Sequence, residues 1–552
     1  MKLSRRLGLI SAALVLPLVV SIYAQELGTI TFPTSGAAAA QPAFLEGVKA
    51  LHSFQFDEAA EAFRRAEKAD PDFVLAFWGE AMSYNHPLWA QQDVEAAKKA
   101  LERAAPTHEA RLAKAKLPKE KQYLEAMQVL FFSPGDKLTR DKAYSEAMAA
   151  MYAQYPDDNE VAVFYALSLL GTVRPGDAGF RRQALAASIA QKVFAENPKH
   201  PGAAHFIIHS FDDPDHAPLG LPAANAYAKI APAAAHALHM PSHIYVQRGM
   251  WQQVIASNTD AYKAAMDVNK RLKLSEGRED FHTLSWLAYG NMMLGKFDDA
   301  KQNVDLAKQA ADRNPDNQGV RNGYLQMRAR YILETGQWEK IALDAPAPAA
   351  DAHAGHAMPG MPGMAYSNPG NAWIFIAGVS AAKLGDAATA SAAQTRLGGL
   401  REKMAGSGNA YAAKEMSILE KEVGAYARMA AGQKDEAVKL AKEAVDVEVS
   451  LSPPSGPPDP MKPALELYGE MLLEANRFPE AADAFSQSLL RTPTRTPSLL
   501  GLARASARAG NTTAARQAYT ELTTMPGAAP GSPAVQEAQK FLKAPVTDAA
   551  RR

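Results

Sequence analysis

Histidine is the residue type through which this chain could do chemistry. Of its 13 histidines, seven fall between His200 and His243. His205 and His209 stand four residues apart, and His236, His239 and His243 follow at spacings of three and four. On helices, each set lies on one face. Neutral imidazole is the commonest metal ligand and suits zinc, copper, iron and nickel. Cysteine is absent, so there is no thiolate ligand, disulfide or cysteine nucleophile. A metal site must use His, Met, Asp or Glu. The stretch after His209 adds Asp212, Asp213 and His216, where a carboxylate can orient a ligating ring from behind.

Two further constellations carry possible chemistry. The run HAGHAMPGMPGM supplies His353, His356, Met358, Met361 and Met364. Thioether and imidazole together favour copper, Cu(I) above all, and the run resembles the His/Met-rich loops of exported copper-resistance proteins. Glu466 and Glu470 stand at i, i+4, which reads as a ligand pair, an acid/base pair or two acids on a solvated face. The sequence contains no Walker loop, no G-x-G-x-x-G, no H-E-x-x-H and no G-x-S-x-G.

These residues need elements to position them, and the chain is built from helical hairpins. Ala59, Phe63, Ala66 and Pro71 recur at spacings of four, three and five, with Gly47 twelve residues before Ala59. Small residues let two antiparallel helices approach, the aromatic fills the gap between them, and the proline ends the unit. Echoes follow at Gly249-Met250-Trp251, Gly295-Lys296-Phe297, Gly336-Gln337-Trp338, Asn476-Arg477-Phe478 and Gly510-Asn511. This pattern resembles the tetratricopeptide repeat over most of residues 40–545. The resemblance implies an all-α solenoid of antiparallel hairpins and says little about activity.

The repeat register sharpens the histidine reading. Pro198 and Pro232 lie one 34-residue repeat apart. His205 and His209 then take the fifth and ninth positions of one unit, and His236, His239 and His243 the second, fifth and ninth of the next. His282 falls at the second position of a later unit. In tetratricopeptide arrays these first-helix positions line the concave face, so six histidines are expected in one groove. Trp78, Met82, Glu466 and Glu470 take fifth and ninth positions elsewhere and are expected there as accessory residues. Pro241, between His239 and His243, either breaks a helix at a functional site or starts a shorter one. The segments HFIIHSFDDPDH and HALHMPSHIYVQRGMW, trailing Asn258, Trp78–Met82, Asn85–Trp89 and Gly456–Pro463 resemble an exported, largely uncharacterised bacterial branch of the family. That resemblance implies a shared site and no established reaction.

Composition bounds the rest. Lys+Arg and Asp+Glu balance at 59 each, so no net field draws nucleic acid or an anionic membrane. Lys2, Arg5 and Arg6 precede an apolar run, Leu7–Val20, too short to span a bilayer comfortably. Residues 1–24 read as a secretory signal, with Ser4-Arg5-Arg6 partly resembling a twin-arginine one. The expected organisation is signal 1–24, a histidine-bearing array over 25–342, an irregular Pro/Gly/Met/His loop over 343–370, a second array over 371–545 and a disordered tail over 546–552. The chain is expected to be exported, periplasmic or secreted, without a membrane span after signal cleavage. Three functions stay open: a binding protein for a transition metal, copper favoured and zinc possible, with a further protein or small-molecule partner in the groove; a copper oxidoreductase or zinc hydrolase acting on a small molecule; and a metal-free protein-interaction scaffold of the cell envelope. Deleting residues 346–368 is expected to leave helical content unchanged and to lower copper uptake. Circular dichroism and uptake at limiting copper check this, and unchanged uptake would remove the loop from the metal account.

Overall fold

A computed structural model describes residues 26–177, 179–344 and 369–544. The expected signal, the tail and the loop residues His353, His356, Met358, Met361 and Met364 lie outside the described residues. Among the described residues the fold is all-α, apart from a two-residue antiparallel ribbon pairing Asn85–His86 with Gln91–Gln92. No described helix is long and apolar enough to cross a membrane.

The helix Phe56–Ala69 illustrates why the sequence folds this way. Asp57 and Glu58 occupy its first turn and Lys68 its last, matching the helix dipole. Ala59, Ala62, Phe63 and Ala66 are fully buried on one face. A Cβ added to Gly47 would sit 2.8 Å from the Phe63 ring, and one added to Gly79 only 2.2 Å from it. Phe63 therefore fills the space between two glycines, sixteen residues to either side in sequence. The arrangement recurs near the C-terminus, where Cβ atoms on Gly469 and Gly501 would meet Phe485 at 2.9 and 2.3 Å.

Hairpin turns share one hydrogen bond. The amides of Met250, Lys296, Asp386, Gln433, Arg477 and Asn511 donate to the carbonyls of Tyr245, Asn291, Ala381, Arg428, Leu472 and Ser506 at 2.8–2.9 Å. Each bond closes around a residue in the left-handed region, which is Gly249, Gly295, Gly385, Gly432, Asn476 or Gly510. This is the helix C-terminal motif that glycine favours. Two turns depart from the pattern: Gln55 donates to Ala50 at 3.0 Å around Phe54, at φ 52°, and Leu274 donates to Asn269 at 2.9 Å around Lys273, at φ 56°. A side chain there costs about 1–2 kcal/mol of backbone strain.

By their contacts the described residues fall into two compact units. The first is residues 1–172, 184–207 and 226–237; the second is 173–183, 208–225 and 238–552. The division differs from the boundary expected at 343–370. Ile332, Leu333 and Ile341 share a core with Trp373, Phe375 and Ile376, and Trp373 Nε1 donates to the Ala342 carbonyl at 3.0 Å. The helices flanking the loop thus belong to one packed array.

The second unit also buries a polar network that changes the role of the expected carboxylate pair. Glu466 is fully buried and accepts from Arg495 Nε at 2.8 Å, Arg495 Nη2 at 3.0 Å and Lys462 Nζ at 2.7 Å. Arg495 also reaches Glu334 at 2.8 Å and the Tyr289 hydroxyl at 3.1 Å. Burial works to raise the Glu466 pKa, but Arg495 and Lys462 hold it down at about 2. Glu470 accepts from Lys462 at 2.9 Å and from the Tyr426 hydroxyl at 3.0 Å. Glu466 and Glu470 are therefore partners in a structural ion network rather than accessory groups of the histidine site, because buried cations reach them first.

Among the described residues, Glu422, fully buried nearby, has no hydrogen-bond partner for either carboxyl oxygen. Burial, reinforced by Glu448, pushes its pKa well above the usual carboxylate range.

Two outcomes follow for stability. Gly79→Ala or Gly501→Ala should destabilise by about 1–3 kcal/mol through overpacking against the ring, despite alanine's better helix propensity; urea unfolding reads this. Glu422 keeps its proton when folded but loses it above the ordinary glutamate range when unfolded, so it erodes stability as pH rises. Glu422→Gln should accordingly melt higher than the parent at pH 8, with the gap closing toward pH 4.5. Equal melting at pH 8 would mean the carboxylate is ionised and partnered.

Candidate metal centre

The helix expected to carry His236, His239 and His243 is two helices. Ala235–His239 ends at Met240, and Pro241 takes the first position of the helix Pro241–Gln247, where its missing N–H costs nothing. Pro241 is thus a helix start and not an interior break. The second unit contains His239 and His243 from these helices and His282 from Glu279–Met293. All three are buried, at 0%, 3% and 6% exposure. Their ring nitrogens converge: His239 Nε2 lies 3.1 Å from His243 Nε2 and 2.8 Å from His282 Nε2.

The groups behind these rings decide which nitrogen carries the proton. Asn258 Nδ2 donates to the Val254 carbonyl at 2.8 Å, which turns its Oδ1 toward His239 Nδ1 at 2.6 Å. An amide oxygen only accepts, so His239 Nδ1 carries a hydrogen. Asp212 Oδ2 takes the same role at His243 Nδ1, 2.6 Å away. In the neutral rings, the Nε2 atoms that face one another at 3.1 Å are then both unprotonated. Two lone pairs at that distance repel unless a proton or a metal cation sits between them. Trp286 closes the site, with its ring 5.0, 4.5 and 5.6 Å from those of His239, His243 and His282. His209, half-buried, has its ring 5.8 Å from that of His243.

The first unit contains His205 and His236, whose Nε2 atoms lie 3.2 Å apart. His205 Nδ1 faces the His52 carbonyl at 2.6 Å, which again assigns the proton to Nδ1 and leaves Nε2 unprotonated. The six histidines expected in one groove are thus divided between the units. His205, His236, His239, His243 and His282 are buried instead of lining an open surface.

A third cluster lay outside the sequence reading. His52 Nε2 and His200 Nε2 contact the two oxygens of Glu160 at 2.8 and 3.0 Å, all three residues being fully buried or nearly so. The Ala203 amide donates to His200 Nδ1 at 3.2 Å, so the His200 proton sits on Nε2 and is given to the carboxylate. Burial raises the Glu160 pKa, but His200 and His52 outweigh it and hold it at about 2. With the His200 proton directed at Glu160, this cluster is a staple between elements and not a ligand set.

The remaining expected residues separate by role. Asp213 pairs with His216 at 2.8 Å, and the His216 ring stacks on Phe180 at 3.6 Å; of the two aspartates, only Asp212 backs a converging histidine. Trp78 is fully buried and packs against Phe32, Tyr123 and Phe164, 5.1–6.0 Å between ring centres. Met82 is buried as well. Both belong to the core of the first unit instead of an open groove. Trp286 stands four residues after His282 on one helix, a same-face spacing already present in the sequence, whereas no spacing rule ties Asn258 to a histidine.

The tetratricopeptide repeat family profile matches residues 424–498 and 469–533. No curated protein matches the sequence. Among solved structures, the chain is similar to the APC/C hetero-tetramer Cut9–Hcn1, at 12% identity over 93% of this chain and 78% of that one, with a TM-score of 0.33. It is also similar to the human IFIT1 dimer with m7Gppp-AAAA, at 13% identity over 92% and 93% of the two chains, TM-score 0.30. A third is yeast Tom70, at 12% identity over 91% and 95%, TM-score 0.28.

Proposed function

We propose, for a chain whose residues 424–533 match the tetratricopeptide-repeat profile, that its buried histidines bind transition-metal ions. The observation that carries the reading is the convergence of His239, His243 and His282 Nε2 atoms at 2.8–3.1 Å, with the Nδ1 protons of His239 and His243 held from behind by Asn258 and Asp212. Hydrogen bonds of this kind fix the tautomer and raise ligand basicity at metal sites. Neutral nitrogen donors without thiolate suit copper and zinc. Copper is favoured, given the Met/His run at 353–364. The His205–His236 pair supports a separate metal position in the first unit. The export expected from the N-terminal sequence would place the protein outside the cytoplasm, and its repeats would offer surfaces to a protein partner.

An enzyme is the second reading. Three histidines leave a tetrahedral metal one position short, as in catalytic rather than structural sites. A substrate or water would take that position.

Titration of the metal-free full chain with Cu(II) should quench Trp286 fluorescence, since its ring lies within 5.6 Å of all three imidazoles. Trp286→Phe should remove that component. His239→Ala should abolish stoichiometric binding at this position, and Asp212→Asn or Asn258→Ala should weaken it about 10–100-fold. Binding should also weaken on acidification, because protons compete for the same lone pairs. Full metal affinity in His239→Ala would sink the proposal.

A further inference from the structure

We infer that the rings beside the His205–His236 pair form a receiving site for one planar phenol, its hydroxyl directed at the two imidazoles. The inference rests on reading that pair as a metal position. Four aromatic groups of the first unit form a continuous file beside the pair. Phe54 lies 4.4 Å from the His205 ring and 5.5 Å from His236. Trp89 lies 5.2 Å from Phe54 and 6.3 Å from His236. Phe56 stacks on His86 at 4.0 Å and meets Trp89 edge-on at 5.7 Å. Phe54 and both imidazoles are buried, whereas Phe56, His86 and Trp89 are half-buried. The file therefore runs from half-buried rings to the buried imidazoles.

The backbone holding these rings is strained at two points. Phe54 sits in the left-handed region where most matching turns carry glycine or asparagine and one carries Lys273. Ala90, at φ 53°, directly follows Trp89 inside the ribbon of Asn85–His86 and Gln91–Gln92. Strain retained on side-chain-bearing residues concentrates at binding sites, and here both strained turns serve the same cluster of rings. At the Phe54 turn, glycine would close the hairpin equally well but would place no ring against His205.

Charge selects the ligand. Aromatic faces accept either a cation or another ring. A cation is disfavoured here. Metal-bound imidazoles are positive, and Arg140 holds the ribbon at Gln92 at 2.9 Å, while Lys137, on Asn85 at 3.2 Å, is paired with Asp141 at 2.7 Å. A neutral or anionic ring carrying an oxygen fits both features. Its ring rests against Trp89 and Phe56, and its oxygen meets the metal or, without metal, donates its proton to an imidazole Nε2.

The test uses the full chain loaded with redox-inert zinc and titrated with 4-nitrophenol, followed by the probe's absorbance. Saturable binding is expected, at least tenfold weaker in Trp89→Ala and in Phe56→Ala, with bound zinc and helical content unchanged. Cyclohexanol should not compete. Binding undiminished in both variants, or cyclohexanol competing as well as the phenol, overturns the inference. If the parent takes up no zinc yet binds the phenol with the same dependence on Trp89, the metal reading falls and the phenol site stands. If zinc binds and the phenol does not, the phenol site falls and the metal reading stands.

Discussion

The close approach of helices around a buried aromatic ring is the constraint from which the rest of this structure proceeds. Where Phe63 lies between Gly47 and Gly79, or Phe485 between Gly469 and Gly501, a single added methyl group would already overlap the ring. Helices drawn this close bring side chains from different hairpins within direct reach. His239 and His282, forty-three residues apart in sequence, approach to 2.8 Å at Nε2. Wider helix spacing would leave the same histidines as isolated core residues.

Close packing also makes polar groups expensive unless each is satisfied. The structure answers in two ways. Around Arg495 and Glu466 it collects opposite charges and hydroxyls until nearly every buried proton has an acceptor. Around the histidines it satisfies the outer nitrogens, through Asn258, Asp212 and the His52 carbonyl, and turns the inner ones toward each other. The first arrangement closes on itself. The second leaves facing lone pairs, which a cation would relieve. His52, Glu160 and His200 supply the contrast: the same residue types, with the His200 proton turned inward onto a carboxylate, make a staple.

The turns express the same economy of space. Glycine or asparagine occupies the left-handed position in most of the turns that share one hydrogen bond, and Phe54 and Lys273 occupy it in two others. At the Phe54 turn the chain accepts strain in order to set a ring against His205.

The helical hairpins were legible in the sequence, because their signals are local: Ala59, Phe63, Ala66 and Pro71 mark faces and ends within one unit. The ligand candidates were legible too, because their clustering between His200 and His243 and their spacings of three and four stand in the sequence itself. Their grouping was not. Register arithmetic expected one open groove with six histidines, whereas folding buried five of the six and divided them between two units. The loop at 343–370 reads as a boundary by composition, yet the helices on either side share one core. Glu466 and Glu470 have the spacing of a ligand pair, and Lys462 and Arg495 claim them. Sequence periodicity determines which face of a helix a residue occupies. Only tertiary packing decides what stands opposite that face, and the protonation of each imidazole depends on that opposing group, be it Asn258, Asp212 or a backbone carbonyl.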